Sequence, residues 1–159
     1  MSLQKISQIP LKLASAQKKD ARSQFGAICY RYQKGKPQVL LITTRGTGRW
    51  IVPKGWPMPG ESPSSAAAVE AYEEAGVEGR VHPVCLGIYS YTKIIDDKPD
   101  LPCVVALYAV RVSKLLNRFP EKHQRKRKWV SPKRAAAMVD EPELRAILAK
   151  FDPVALGLR

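Results

Sequence analysis

The sequence predicts a single mixed α+β domain, with sheet and helices layered as a sandwich. Three observations predict it. The chain has 159 residues, enough for one substantial core. Apolar, strand-like runs lie on both sides of an alanine-rich helical stretch in its middle. Helical patterns close the sequence.

Residues 1–22 carry Lys5, Lys12, Lys18, Lys19 and Arg22 against Asp20, a net +4, and read as a basic N-terminal tail ahead of a domain over 23–151. Residues 24–32 read as a strand through Phe25, Ala27, Ile28, Cys29 and Tyr30. Lys34-Gly35-Lys36-Pro37 is a turn, and residues 39–43 (Val-Leu-Leu-Ile-Thr) form a more buried strand. The loop Arg45-Gly46-Thr47-Gly48-Arg49 precedes a short strand, Trp50-Ile51-Val52. Its amides and guanidinium groups suit phosphate oxygens. A plain hairpin turn has the same composition, so its weight comes from its place just before the acidic helix.

Residues 77–95 are strand-rich, with Val84 to Tyr89 as one run. Residues 96–100 form an acidic loop that could add a metal ligand but reads more simply as solvated. Residues 103–112 form another apolar strand, and 114–122 a connection containing Glu121. Residues 125–130 alternate as a strand, with Arg125, Arg127 and Trp129 on one face. Ser131-Pro132 opens a helix through Met138. Asp140 or Glu141 starts a last helix ending near Phe151, striped by Leu144, Ile147 and Leu148, and 152–159 read as a C-terminal tail.

Composition narrows the function classes. No apolar run approaches the roughly 18 residues that span a membrane, and the N-terminus lacks a secretory apolar region, so a cytoplasmic protein is expected. Cys29, Cys85 and Cys103 lie in apolar runs, which predicts reduced core thiols. With His82 and His123 they offer no closely spaced zinc pair. The net charge of +13 implies an anionic partner. Residues 114–134 hold nine basic side chains against Glu121, a net +8, so much of the excess sits in one stretch.

Residues 55–77 carry the chemistry. A glycine loop runs through Glu61 into a helix capped by Ser62, opened by Pro63 and stopped by Gly76. At about 100° per residue, Glu70, Glu73 and Glu74 share an arc of roughly 100°. Ala66, Ala67, Ala68, Ala71 and Ala75 surround them. Clustered, uncompensated carboxylates repel one another, and hard divalent cations are the usual answer. A solvated helix face would mix in lysine.

This stretch resembles the Nudix box, G-x5-E-x7-R-E-U-x-E-E-x-G-U, with U a bulky apolar residue. Gly55, Glu61, Glu70, Glu73, Glu74, Gly76 and Val77 fall at its spacing, and Ala71 is a small version of its apolar slot. Val69 stands where the box has an arginine that pairs with and orients box carboxylates. Three further pieces are similar to the diphosphoinositol polyphosphate phosphohydrolase branch: residues 25–31, Arg49-Trp50-Ile51-Val52-Pro53, and Arg125-Lys126-Arg127-Lys128-Trp129. In place of that branch's glycine-like linker the chain has Trp56-Pro57-Met58-Pro59, which should narrow the mouth of a site.

The resemblance implies an α/β/α sandwich with a mixed sheet and a central catalytic helix. It implies metal-dependent hydrolysis of a phosphoanhydride in a diphosphoinositol polyphosphate or diadenosine polyphosphate. Mg²⁺ or Mn²⁺ would be held by Glu70, Glu73, Glu74 and the Gly55 carbonyl. Glu70 is the favoured general base, with Glu121 in reserve, and Glu61 supports the other carboxylates. Arg45, Arg49, Lys54, Arg125 and Arg127 are the candidate phosphate contacts. For any single basic side chain a solvated or aggregation-blocking role is an equal alternative. Two other functions compete: removal of pyrophosphate from RNA 5′ ends, and a catalytically weak regulator that binds nucleotide. Basic charge supports the first and Val69 the second.

Overall fold

The computed structural model describes residues 6, 8–11 and 21–158. Lys5, Lys12, Lys18 and Lys19 of the expected tail lie outside the described residues. Strands β1 (Arg22–Gln33) and β2 (Lys36–Thr43) form a hairpin whose turn residues, Lys34 and Gly35, both have positive φ. That geometry matches the twist of the strands it joins.

Beyond the Tyr30–Val39 pair the hairpin strands stop pairing with each other. Into the opening comes the chain that pairs as β3 (Trp50–Ile51) with β2 and as β4 (Lys54–Gly55) with β1. The amide of Ala27 donates to the Pro53 carbonyl at 2.9 Å and seals the join. The sequence shows residues 53–55 only as a connection, because two residues carry no periodicity.

The long strand β7 (Leu101–Leu115) runs parallel to β1, from Arg22–Cys103 to Tyr30–Arg111. Its other edge takes β5 (Val77–Val81) and β6 (Gly87–Lys93), both antiparallel. β8 (Arg127–Val130) pairs antiparallel with β2. The eight strands form one mixed sheet.

Alternation along the strands divides the core in two. Ala27, Cys29, Leu40 and Ile42 pack with Ala67, Ala71 and Ala75 of α1 (Pro63–Ala75) on one face. Ile28, Tyr30, Val39 and Leu41 pack with Ala135 of α2 (Pro132–Met138) and Leu144, Ile147 and Leu148 of α3 (Pro142–Ala149) on the other. The layering is therefore α/β/α. Buried Glu143 ties α3 to β6, accepting from the amide and hydroxyl of Ser90, each at 2.7 Å.

Described residues near both termini reach the sheet and core. The side-chain amide of Gln8 donates to the Ile88 carbonyl and accepts from the Ile88 amide, at 2.8 and 2.6 Å, beside β6. Leu158, within the expected C-terminal tail, is buried.

Three expectations need correction. Cys85 is exposed, in the turn before β6, because Pro83 delays that strand until Gly87; the buried thiols are Cys29 and Cys103. The strand expected over 125–130 begins at Arg127, since Arg125 turns its side chain inward to carboxylates. The connection after β7 begins only past Leu115, because β5 pairs with it that far. Among the described residues no helix is long and apolar enough to cross a membrane.

Candidate active site

Helix α1 enters the site through a tight cap. Ser62 Oγ accepts from the Ser65 amide at 3.2 Å, Pro63 fills the first turn, and Gly76 stops the helix in the left-handed conformation at φ 69°. Ala67, Ala71 and Ala75 lie on one stripe and are fully buried, so the helix sits close on the sheet. The edge of that stripe brings Glu70 and Glu74, 8% and 5% exposed, against the β4 segment.

Gly55 is glycine for a visible reason. A Cβ there would land on the carboxylate of Glu70. Glu74 accepts from the Lys54 amide at 3.3 Å. Burial, followed by the charges of Glu74 and Glu73, pushes Glu70 up to about 7. Burial also raises Glu74, but Arg125 and Lys54 oppose it. Lys54 is lowered by burial, against the pull of Glu74, and its Nζ lies 4.6 Å from the Tyr91 ring centroid.

Around these groups opens a cavity of about 650 Å³. Glu70, Glu74 and Glu121 line it with Arg45, Arg49, Lys54, Lys93 and Arg125. Arg45 pairs with Glu121 at 3.9 Å and donates to Gln124 at 3.2 Å. Arg49 pairs with Asp140 and Glu141 at 3.3 and 3.7 Å. Arg125 is 8% exposed and lies 3.0 Å from Glu121 and 3.6 Å from Glu74.

Not every expected residue joins them. Glu73 is half-buried beside the site, and its carbonyl accepts from the Glu121 amide at 3.0 Å. Glu61 is exposed and accepts a hydrogen bond from the Ser65 hydroxyl. Arg127 lies off the cavity. It donates to the carbonyls of Ala75 and Leu116 at 3.0 and 2.9 Å and stacks on Phe119, joining the end of α1 to the loop after β7.

Residues not singled out in the sequence complete the wall. Gln24 accepts from the Tyr91 hydroxyl at 2.6 Å, and Lys93 lies 5.1 Å over the ring of Trp56, in the linker expected to narrow the mouth. The signal for Tyr91 and Lys93 was the alternation of β6, which puts them on the same face as Tyr89.

A divalent cation fits this donor set. Two carboxylates share a partly desolvated wall, where burial first and then the neighbouring acids raise Glu70, and a bound cation would relieve that repulsion. Among the described residues no three acidic, histidine or cysteine side chains form a ready-made cage. The remaining oxygens would have to come from backbone, water or substrate.

Comparison with known proteins matches residues 22–151 to the NUDIX domain. Diphosphoinositol polyphosphate phosphohydrolase 3-beta of Homo sapiens is 33% identical over 104 residues, 64% of this chain and 59% of that protein. Nudix hydrolase 12, mitochondrial, of Arabidopsis thaliana is 28% identical over 119 residues, 73% of this chain and 59% of that protein. The chain thus spans 59% of the length of these curated relatives. The C. elegans Ap4A hydrolase binary complex superposes with a TM-score of 0.63 at 25% identity, covering 86% of this chain and 99% of that one. The E. coli dihydroneopterin triphosphate pyrophosphohydrolase shares the fold, with a TM-score of 0.62 at 15% identity over 81% of this chain and 93% of that one. The family match takes in every strand and helix of the sheet and its two helical layers, and the chain belongs to the Nudix family.

Proposed function

We propose that the chain hydrolyses a phosphoanhydride bond in a highly charged polyphosphate substrate, using Mg²⁺ or Mn²⁺. One observation carries this reading. A pair of mutually repelling carboxylates, Glu70 and Glu74, lies in a cavity whose other walls bring Arg45, Arg49, Lys54 and Lys93. Acids for a cation and bases for phosphates meet in one opening, as a polyphosphate–metal complex requires.

Glu70, Glu74 and the Gly55 carbonyl would hold the cation, with Glu73 beside them on α1. A cation held there would offset phosphate charge and lower the pKa of a bound water. Glu70, on the cavity wall against the backbone of Gly55, would accept the proton of the attacking water on a carboxylate oxygen. Glu121 is the alternative acceptor from the facing loop. Arg45 and Arg49 contact the phosphates at the rim, and Lys54 deeper in. Trp56 and Met58 crowd the entrance and help exclude water. The names of the human relative and the C. elegans hydrolase, both polyphosphate-cleaving, support a diphosphoinositol or dinucleoside polyphosphate as substrate. The free thiols Cys29 and Cys103 suit a reducing, cytoplasmic compartment.

The test is product release from diphosphoinositol polyphosphate, diadenosine polyphosphates, nucleoside triphosphates and triphosphorylated RNA, with Mg²⁺ or Mn²⁺. Turnover should require the cation and fall by at least about 100-fold in Glu70→Gln and in Glu74→Gln. Preference for triphosphorylated RNA would replace the small-molecule reading. Wild-type turnover of nothing in the panel would leave a binding protein.

A further inference from the structure

Helix α1 contains no lysine or arginine from Pro63 to Ala75. Val69 stands where the family motif has its basic residue. The helix nevertheless buries two carboxylates, and a buried charge needs a partner. Among the described residues, one guanidinium forms an ion pair with α1, and it comes from the far side of the site: Arg125.

Arg125 is fully engaged by protein. Its Nε donates to Glu121 Oε1 at 3.1 Å and its Nη1 to the Thr43 carbonyl at 3.0 Å. Its Nη2 lies 3.0 Å from Glu121 Oε1 and 3.6 Å from Glu74 Oε2. The planar fork thus joins three parts of the chain: the end of β2, helix α1 and the loop before β8. A second link runs in parallel, the Glu121 amide donating to the Glu73 carbonyl at 3.0 Å. With the side chain 8% exposed and every guanidinium nitrogen bonded to protein, little of it is offered to a substrate phosphate.

We propose that Arg125 is a positioning residue: it clamps Glu74 and Glu121 to each other across the cavity and supplies from a distant loop the charge that α1 lacks. This role rests on the hydrolytic reading for its catalytic consequence, but not for its geometry. Lysine could replace it only in part, because one ammonium cannot reproduce the fork that meets two carboxylates and a carbonyl.

Two measurements on the full chain test it. The first is steady-state kinetics on the panel substrate that the wild type cleaves fastest. Arg125→Gln should lower kcat by about 10- to 100-fold with KM little changed, as for loss of a group that orients ligands. Arg125→Lys should recover part of that loss, and Arg125→Gln with Glu121→Gln should be no worse than the worse single variant. The second is a thermal-unfolding cycle with Arg125→Gln and Glu74→Gln, which needs no turnover. Arg125→Gln takes from buried Glu74 its guanidinium partner, leaving, among the described residues, only Lys54 beside it, and should lower the midpoint by about 5 °C or more. Adding Glu74→Gln should restore part of it. A raised KM with unchanged kcat would give Arg125 to the substrate's phosphates and overturn the clamp. Additive melting shifts would overturn it as well. A wild type inert on the whole panel sinks the hydrolytic reading and leaves the melting cycle to decide the clamp.

Discussion

Gly55 and Glu70 show how far one residue's chemistry reaches. The carboxylate occupies the volume where any side chain at position 55 would begin, so the loop can only be glycine there. That closeness also withdraws Glu70 from water, and with the neighbouring acids it pushes the group from 4.5 up to about 7. A carboxyl with a raised folded-state value stabilises the fold fully below its unfolded value, and that contribution is lost as pH rises through the folded value. The chelator-treated protein should therefore lose stability between about pH 4.5 and 7, and Glu70→Gln should flatten that fall. Melting curves of both proteins at pH 5 and 8 check this. Added Mg²⁺ should raise the midpoint more at pH 8, where Glu70 is ionised. That Gly55, Glu70 and Glu74 belong to one cluster was legible in their spacing, but the contact of Gly55 with Glu70 was not. Nor was the ion pair of Arg125, because a basic run looks alike whether its members face water or a buried acid.

At the level of elements, α1 and the loop after β7 behave as one unit. Gly76 ends the helix at φ 69°, and a Cβ there would also strike the ring of Phe119. Arg127 stacks on that ring and binds the carbonyls of Ala75 and Leu116. Gly76→Ala should cost about 1–2 kcal/mol for the left-handed backbone alone. It should also displace the loop that carries Glu121, so kcat should fall even well below the melting temperature. A variant that melts earlier but keeps full kcat would show that the loop does not need this contact. The helix was legible because cap, stop and alanine spacing agree with one another. β4 was not, since two residues have no period, and the strand expected from Val84 begins only at Gly87, past Pro83. The parallel pairing of β1 with β7 was also hidden. Its partners are far apart in the chain, and local pattern does not choose between neighbours.

For the molecule as a whole, a net charge of +13 surrounds a small acidic wall. Field lines from the basic stretches converge on the opening, where Arg45 and Arg49 stand at the rim. Association of a polyphosphate should therefore weaken as salt screens the field, over a Debye length that shrinks from about 10 Å at 0.1 M to 3 Å at 1 M. Between these conditions kcat/KM should fall several-fold while the salt dependence of kcat stays shallow. A flat kcat/KM would mean that the charge serves something other than capture. The sandwich architecture follows from the alternation of 27 through 30 and 39 through 42, which assigns each side chain to one helical layer or the other.

One small contact has a larger meaning for how copies of the molecule behave toward each other. β6 pairs with β7 along one side, and an open strand is an invitation to any extended peptide. Gln8 answers it in miniature. Its side-chain amide offers a donor and an acceptor, as a peptide unit does, and both are spent on Ile88. A visiting strand would find that rung of the ladder already taken, and the next outward amide, that of Ser90, is held by Glu143.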